Sequence, residues 1–187
     1  MDMIMAKLAN KAMRRSVKSI NASDDLIVHE CAIKPYQIFC ELIEAETSEF
    51  VSSNTLLLEV IGESDQYRFF DGFREVSILT NSSEISIRRV ILSNAEIERR
   101  AWSCLMNEFI NLNPINPNIF NAIKNSMPIK VQRALFDNSL TIQRILDIKN
   151  IERHQYDYQV KLMHNQYASE TPSFSELIDE VRYADSK

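Results

Sequence analysis

Two glycines, Gly62 and Gly72, serve the whole 187-residue chain. A chain this poor in glycine keeps one where the backbone needs a positive φ or where another group must approach closely. Gly72 sits in Tyr67-Arg68-Phe69-Phe70-Asp71-Gly72-Phe73-Arg74. An aromatic, strand-like run enters it, and an apolar helix-like run (Val76, Ile78, Leu79) leaves it. A strand–Gly–helix junction aims backbone N–H groups and the positive end of a helix dipole at one spot, and Arg74 adds a fixed charge there. Two readings stay open on the local residues: a seat for a phosphate or carboxylate, or a tight turn with a surface arginine.

The length fits one domain or two small ones. Hydrophobic residues at 45% with 25% charged place the chain among ordinary globular proteins. No apolar run approaches the roughly 18 residues that span a bilayer. Lys7, Lys11, Arg14, Arg15 and Lys18 interrupt every apolar stretch of the first twenty residues, so no secretory signal is read there and a cytoplasmic chain with no membrane partner is expected. Cys31, Cys40 and Cys104 are scattered, and are expected as free thiols. His29, His154 and His164 lie near no cysteine at metal-ligand spacing, so no metal site is read. The net charge of −5 excludes a uniformly basic nucleic-acid binder. The charge is uneven, however. The N-terminal arm is basic, residues 21–99 are acidic, and Lys130 to Lys161 leans basic.

The chain reads as α+β. Residues 1–22 form a basic arm, with an amphipathic helix or mobile segment over 3–20. Residues 23–92 form a small mixed α/β domain, and residues 93–187 a helical region with a helix-turn-helix near 140–160. Within the α/β part, Leu26–Cys31 is expected as a strand and the segment from Pro35 as a helix through Ile38, Phe39, Leu42 and Ile43. Leu56–Ile61 and Tyr67–Phe70 are expected as a hairpin about the turn 62–65, followed by a short helix. Ile85, Ile87 and Val90 alternate as in a strand. Ser93-Asn94-Ala95-Glu96 is a capping box opening a helix to about Ile110. The tail carries a helix-like stretch over Phe174–Val181.

Three segments in order resemble the ParB/sulfiredoxin superfamily, specifically ParB-like proteins, over roughly residues 24–116. Leu56-Leu57-Leu58-Glu59-Val60 followed by Tyr67 to Glu75 is similar to the family's strand–turn–strand entering a Gly-x-Arg-Arg signature. Ile85 to Val90 followed by Ser93-Asn94-Ala95-Glu96 resembles the next strand and helix. Asn107-Glu108-Phe109-Ile110-Asn111-Leu112-Asn113-Pro114 resembles the element that ends in Leu-Asn-Pro. The resemblance implies a phosphate-binding region at Gly72, Phe73, Arg74 and Glu108, which in ParB serves CTP. The departures imply a vestigial site. Glu75 replaces the second arginine, and the arginine before Leu-Asn-Pro is missing. A nucleotide triphosphate with Mg²⁺ is therefore not favoured, and no catalytic residue is assigned. Phe73 stands where the sulfiredoxin branch has its cysteine, so that activity is not expected.

Thr141 to Tyr156 has helix-turn-helix spacing, with Leu146 buried, Asn150 at a turn needing positive φ, Ile151 just after it, and Tyr156 on the inner face of the second helix. That leaves Lys149, Arg153, His154 and Gln155 as DNA-contacting candidates, Gln155 suited to adenine and Arg153 to guanine or phosphate. An ordinary helical hairpin is the alternative. The resemblance also suggests a ParA-type ATPase as partner of the basic arm, through Arg14 and Arg15. The other reading of the arm is a solubilising helix. A chain of 187 residues is expected to lack room for the usual ParB C-terminal dimerisation domain, and so to form a homodimer by another route or to act as a monomer. Three functions follow: a DNA-binding partition factor or regulator of plasmid or chromosome; an enzyme of the same fold, nucleotide hydrolase or nuclease, using Asp71, Arg74 and Glu75; and a non-catalytic interaction protein such as one that blocks conjugation.

Overall fold

The computed structural model describes residues 17–21, 26–44, 57–62, 66–79, 84–112 and 114–170. The chain divides into two compact units, residues 1–141 and 142–187.

The first unit is built on a mixed five-stranded sheet: β1 (Val17–Asn21), β2 (Leu26–Val28), β3 (Leu57–Ile61), β4 (Tyr67–Phe69) and β5 (Glu84–Arg89), in the order β1-β5-β3-β4-β2. β3 and β4 pair antiparallel with Val60 opposite Phe69, which is the expected hairpin. β5 runs parallel to β3 and antiparallel to β1, and β2 runs parallel to β4. Strand period decides what is buried. Leu58 and Val60, Tyr67 and Phe69, and Ile85 and Ile87 all point inward, while Leu57 is exposed.

Among the described residues, six helical segments complete this unit: a 3₁₀ turn (Glu30–Ala32), α1 (Ile33–Glu44), α2 (Phe73–Ser77), α3 (Asn94–Asn111), α4 (Pro117–Ser126) and α5 (Ile129–Phe136). α1 packs on α3 and α4, and α5 packs on α3. Where β4 meets α1 and α2, Tyr36 sets its ring edge-on to Phe69 and Phe73 with centroids 5.2 and 5.3 Å apart, and Phe39 lies 5.6 Å from Phe73. Farther along α3, Ile97, Trp102, Leu105 and Phe109 bury one helical stripe. Buried Gln132 on α5 locks the end of this unit. Its amide nitrogen donates to the Met127 carbonyl at 2.9 Å, and its oxygen accepts the Leu140 N–H at 2.8 Å. A buried side-chain amide is tolerated because both of its ends are bonded.

The second unit holds α6 (Ile142–Lys149) and α7 (Arg153–Glu170). Isoleucine 145, Leu146 and Tyr156 are buried. No helix among the described residues is long and apolar enough to cross a membrane.

The α+β architecture holds. The details differ in three places. Residues 17–21, expected as the end of a basic helix or arm, form edge strand β1 instead, because Ile20 is buried and the backbone pairs with Glu84 to Arg88. The strand from Leu26 stops at Val28, where the His29 ring nitrogen accepts the Cys31 N–H and turns the chain into the 3₁₀ segment. At the capping box the Ser93 hydroxyl accepts the Glu96 N–H at 3.3 Å, while the Glu96 carboxylate lies on Arg99 at 2.7 Å. The rest of the expected basic arm and the stretch Phe174–Val181 lie outside the described residues.

Candidate functional site

Gly72 has φ 66° and ψ 36°, the left-handed conformation that a side chain resists. It lets β4 pass through Phe70 and Asp71 directly into α2. The junction borders a cleft of about 600 Å³ lined on one side by Asp71, Gly72 and Glu75. The other side is a polar stripe of α3, Glu96, Arg99, Arg100, Ser103, Cys104, Asn107 and Glu108, repeating at three and four residues. Gly72 thus stands at the mouth of a polar hollow.

The charges in the hollow are largely spent on one another. Arg74 turns its Nε to the Glu108 carboxylate at 2.7 Å. Arg100 bridges two acids, Glu59 at 2.7 Å and Asp71 at 2.6 Å, and its guanidinium lies 4.9 Å over the Phe70 ring. Arg88 donates to the same Glu59, so Arg88, Glu59, Arg100 and Asp71 form one alternating chain. Burial raises the Asp71 carboxyl above the usual range, and Arg100 only partly offsets it. Burial acts in the same sense on Glu59, but hydrogen bonds from Arg100 and Arg88 outweigh it and hold this carboxyl low.

Burial pushes the Cys104 thiol up to about 11, with the backbone at Phe73 and Gly72 acting in the opposite sense. A thiol this weakly acidic is neutral at pH 7 and no nucleophile. The Phe73 side chain is fully buried in the aromatic cluster, and the residue does not line the hollow. Among the described residues no group of three or more His, Cys, Asp or Glu is arranged to hold a metal ion.

Of the four phosphate-site candidates, the structure thus brings Gly72, Arg74 and Glu108 together and withdraws the Phe73 ring. Sequence reasoning did not single out Arg99, Arg100 or Glu59. One signal for them was present: Glu59 is a carboxylate in the middle of the apolar run Leu56–Ile61, and a charge in a sheet interior needs a partner.

In the second unit, Asn150 has φ 52°. Its N–H bonds to the Asp147 carbonyl at 3.2 Å, and the Ile151 N–H reaches the Leu146 carbonyl at 3.0 Å. This is the paired arrangement that closes a helix through a left-handed residue. Gln155 accepts the Glu152 N–H through its side chain at 3.2 Å and so caps the start of α7. Arg153 pairs with Asp157 at 3.0 Å and lies 5.7 Å from the Tyr156 ring centre. His154 is exposed, and Lys149 is half-buried, its ammonium pKa lowered by that burial. Three of the four DNA-contacting candidates, Arg153, His154 and Gln155, therefore share the first turn of α7, with Lys149 one short turn before it.

No protein-family model, curated protein or solved structure matches this chain.

Proposed function

We propose that this chain is a DNA-binding protein of ParB-like architecture in which the nucleotide site is closed by internal ion pairs. Duplex DNA is the partner of the α6–α7 helix pair, and the role is partition of a plasmid or chromosome, or related regulation. The observation that carries this reading is the left-handed Asn150 between two short-linked helices, with Leu146 and Tyr156 buried and Arg153 and His154 outward. A helix-turn-helix needs that combination of tight turn, buried inner face and polar leading turn. The closed ion pairs around Arg74 and Arg100 favour this reading over a nucleotide hydrolase or nuclease working through Asp71 and Glu75.

The test is fluorescence anisotropy with labelled duplex DNA at low and moderate salt. Binding is expected at low salt, where phosphate contacts are strongest. Arg153→Ala is expected to weaken it by about 1–3 kcal/mol if the guanidinium reads a base. No binding by the wild-type chain at low salt removes the reading. Stimulation of a ParA-type ATPase, abolished by Arg14→Ala and Arg15→Ala together, would mark partition as the process.

A non-catalytic interaction protein, for example one that blocks conjugation, is the second reading. One observation favours it: Arg153 and Gln155 already have intramolecular partners in Asp157 and Glu152. A base would have to displace both bonds.

A further inference from the structure

The outer face of the α4–α5 corner belongs to none of the roles above. From Phe109 to Phe136 the sequence carries no Asp or Glu, and its charges are Lys124, Lys130 and Arg133, all positive, in a chain whose net charge is −5. All three side chains are exposed. Lys124 sits in the last turn of α4, and Lys130 and Arg133 lie one turn apart on α5, away from buried Val131 and Gln132. Gln132 ties the two helices together, its amide nitrogen 3.3 Å from the Lys124 carbonyl oxygen and 2.9 Å from that of Met127. The three cations therefore stand at one corner of the first unit. On α4 the exposed row continues through Asn118, Asn121 and Asn125, with Ile119, Phe120 and Ile123 turned inward.

At the polar hollow, Arg74, Arg99 and Arg100 are held by Glu108, Glu96 and Asp71. Lys124, Lys130 and Arg133 have no acidic partner among the described residues. Like charges brought together without an acid repel one another, and the arrangement has chemical sense where an anion approaches. The surrounding side chains say which kind. Protein interfaces are anchored by aromatic residues and are depleted in lysine. Among the described residues of α4 and α5 no aromatic side chain is exposed, and Ile129 is the one exposed large apolar side chain. Lysine, arginine and asparagine are side chains that meet phosphate and sugar oxygens. The row from Asn118 to Asn125 covers about 10 Å along the helix axis. That is longer than a single phosphate and suits phosphates repeated along a strand.

We infer that the exposed face of α4 and α5 is a second nucleic-acid contact, which holds the phosphate backbone of duplex DNA through Lys124, Lys130 and Arg133 without reading sequence. This rests on the DNA-binding reading of the chain but not on the residues of α7.

The experiment is the salt dependence of duplex binding by the full chain. It compares wild type with Lys130→Gln, the triple variant Lys124→Gln/Lys130→Gln/Arg133→Gln, and Lys34→Gln. Lys34 is an exposed lysine of α1, and its loss alters net charge by the same step as Lys130→Gln. The substituted side chains are exposed, and circular dichroism of each variant checks that the fold is kept. Each phosphate contact contributes about 0.9 to the slope of log K against log salt. The triple variant is expected to lose about 2.7 of that slope and Lys130→Gln about 0.9. Lys34→Gln is expected to keep the wild-type slope. An unchanged slope in the triple variant, with the wild type still binding DNA, overturns this inference and leaves the α7 reading standing. Equal losses in Lys34→Gln and Lys130→Gln overturn it too, because net charge alone then sets the slope. Poly-glutamate binding that the triple variant loses, while its DNA slope is unchanged, assigns the face to an acidic protein and likewise overturns it. No wild-type binding of DNA at low salt overturns both readings.

Discussion

Arg74 and Glu108 stand 34 residues apart in the chain, yet the Nε–H of one donates to Oε2 of the other at 2.7 Å. Glu108 lines the polar hollow beside Gly72, and the arginine is turned to that carboxylate. A triphosphate entering here would meet the carboxylates of Glu75 and Glu108, and the arginines that line the hollow, Arg99 and Arg100, are already paired with Glu96, Glu59 and Asp71. A carboxylate held about 4 Å from a phosphate costs about 4 kcal/mol at an effective dielectric near 20, before water and metal screening. Half of that already moves a micromolar ligand more than tenfold toward millimolar.

Isothermal calorimetry with CTP and ATP is therefore expected to show no micromolar binding in metal-free buffer. Glu108→Gln removes one acid and weakens the hold on Arg74. A charged hydrogen bond of this kind is worth about 1.5–3 kcal/mol, so the variant is expected to gain affinity by roughly tenfold to a hundredfold. Micromolar binding by the wild-type chain without metal would sink the closed-site reading. Binding that appears only with Mg²⁺ would point to Asp71 and Glu75 as metal holders and return the enzyme reading to the front.

The two glycines make a graded prediction. A Cβ on Gly72 would stand 2.7 Å from Leu58 Cδ1, the end of a side chain that can move, at φ 66°. A Cβ on Gly62 would stand 2.1 Å from the Gln66 carbonyl oxygen, which is backbone, at φ 157°. Gly72→Ala is expected to cost about 2–4 kcal/mol, from left-handed strain plus repacking of Leu58. Gly62→Ala is expected to cost more, because the turn itself must open. Urea denaturation ranks the two, and the reverse order would show that β3 and β4 tolerate a wider turn than the one seen.

Arg100 is the charge on which two carboxylates depend. Removing one partner of a buried pair leaves the other uncompensated, at about 3–5 kcal/mol when the group is fully enclosed. Arg100 keeps 30% of its side chain exposed and Glu59 17%, so Arg100→Ala is expected near or below the lower end, about 2–3 kcal/mol. Glu59→Gln with Arg100 intact is expected to cost less, since the amide oxygen still accepts from one arginine and the side-chain volume is kept, while its NH2 group gives up the bond to the other. A loss in Arg100→Ala with none in Glu59→Gln in thermal melts would mean that packing of Arg100 on Phe70, not the ion pairs, carries the effect.

Local chemistry was legible in the sequence, and distant pairing was not. Asn150 could be read because a helix that must turn sharply takes its left-handed residue from a short list, and Asn leads that list after Gly. The Leu57–Ile61/Tyr67–Phe69 hairpin could be read because two apolar runs flank a short polar turn. β1 was missed because Lys18 and Ser19 are exposed beside buried Ile20, and the basic neighbours of this segment pull the eye toward a helix or arm. Its partner lies on β5, far along the chain. The ion pairs were missed for the same reason: Glu59, Asp71 and Arg100 meet only after β3, β4 and α3 have packed. The arginine–carboxylate pairing that closes the hollow thus appears in three dimensions, while the acidic Glu75 beside Arg74 that hinted at it appears in one.

His29 offers a pH test. The residue is buried, and its Nδ1 accepts the Cys31 N–H at 3.2 Å, which requires that nitrogen to be unprotonated. Burial lowers its pKa below the usual 6.5, with Glu30 opposing and Arg68 adding to the effect. The unfolded chain therefore takes up this proton at a higher pH than the folded chain does. Stability from His29 is complete above about 6.5 and declines as pH falls from there toward the lowered folded value. His29→Asn keeps an oxygen acceptor for the Cys31 N–H and removes the titration. Urea unfolding at pH 7.5 and 5.5 should show wild type losing more stability than His29→Asn over that interval. His29→Ala is expected to lose about 1 kcal/mol at pH 7.5, the ordinary worth of a side-chain cap. Parallel pH curves for wild type and His29→Asn would show that the ring reaches water as freely in the folded chain as in the unfolded one.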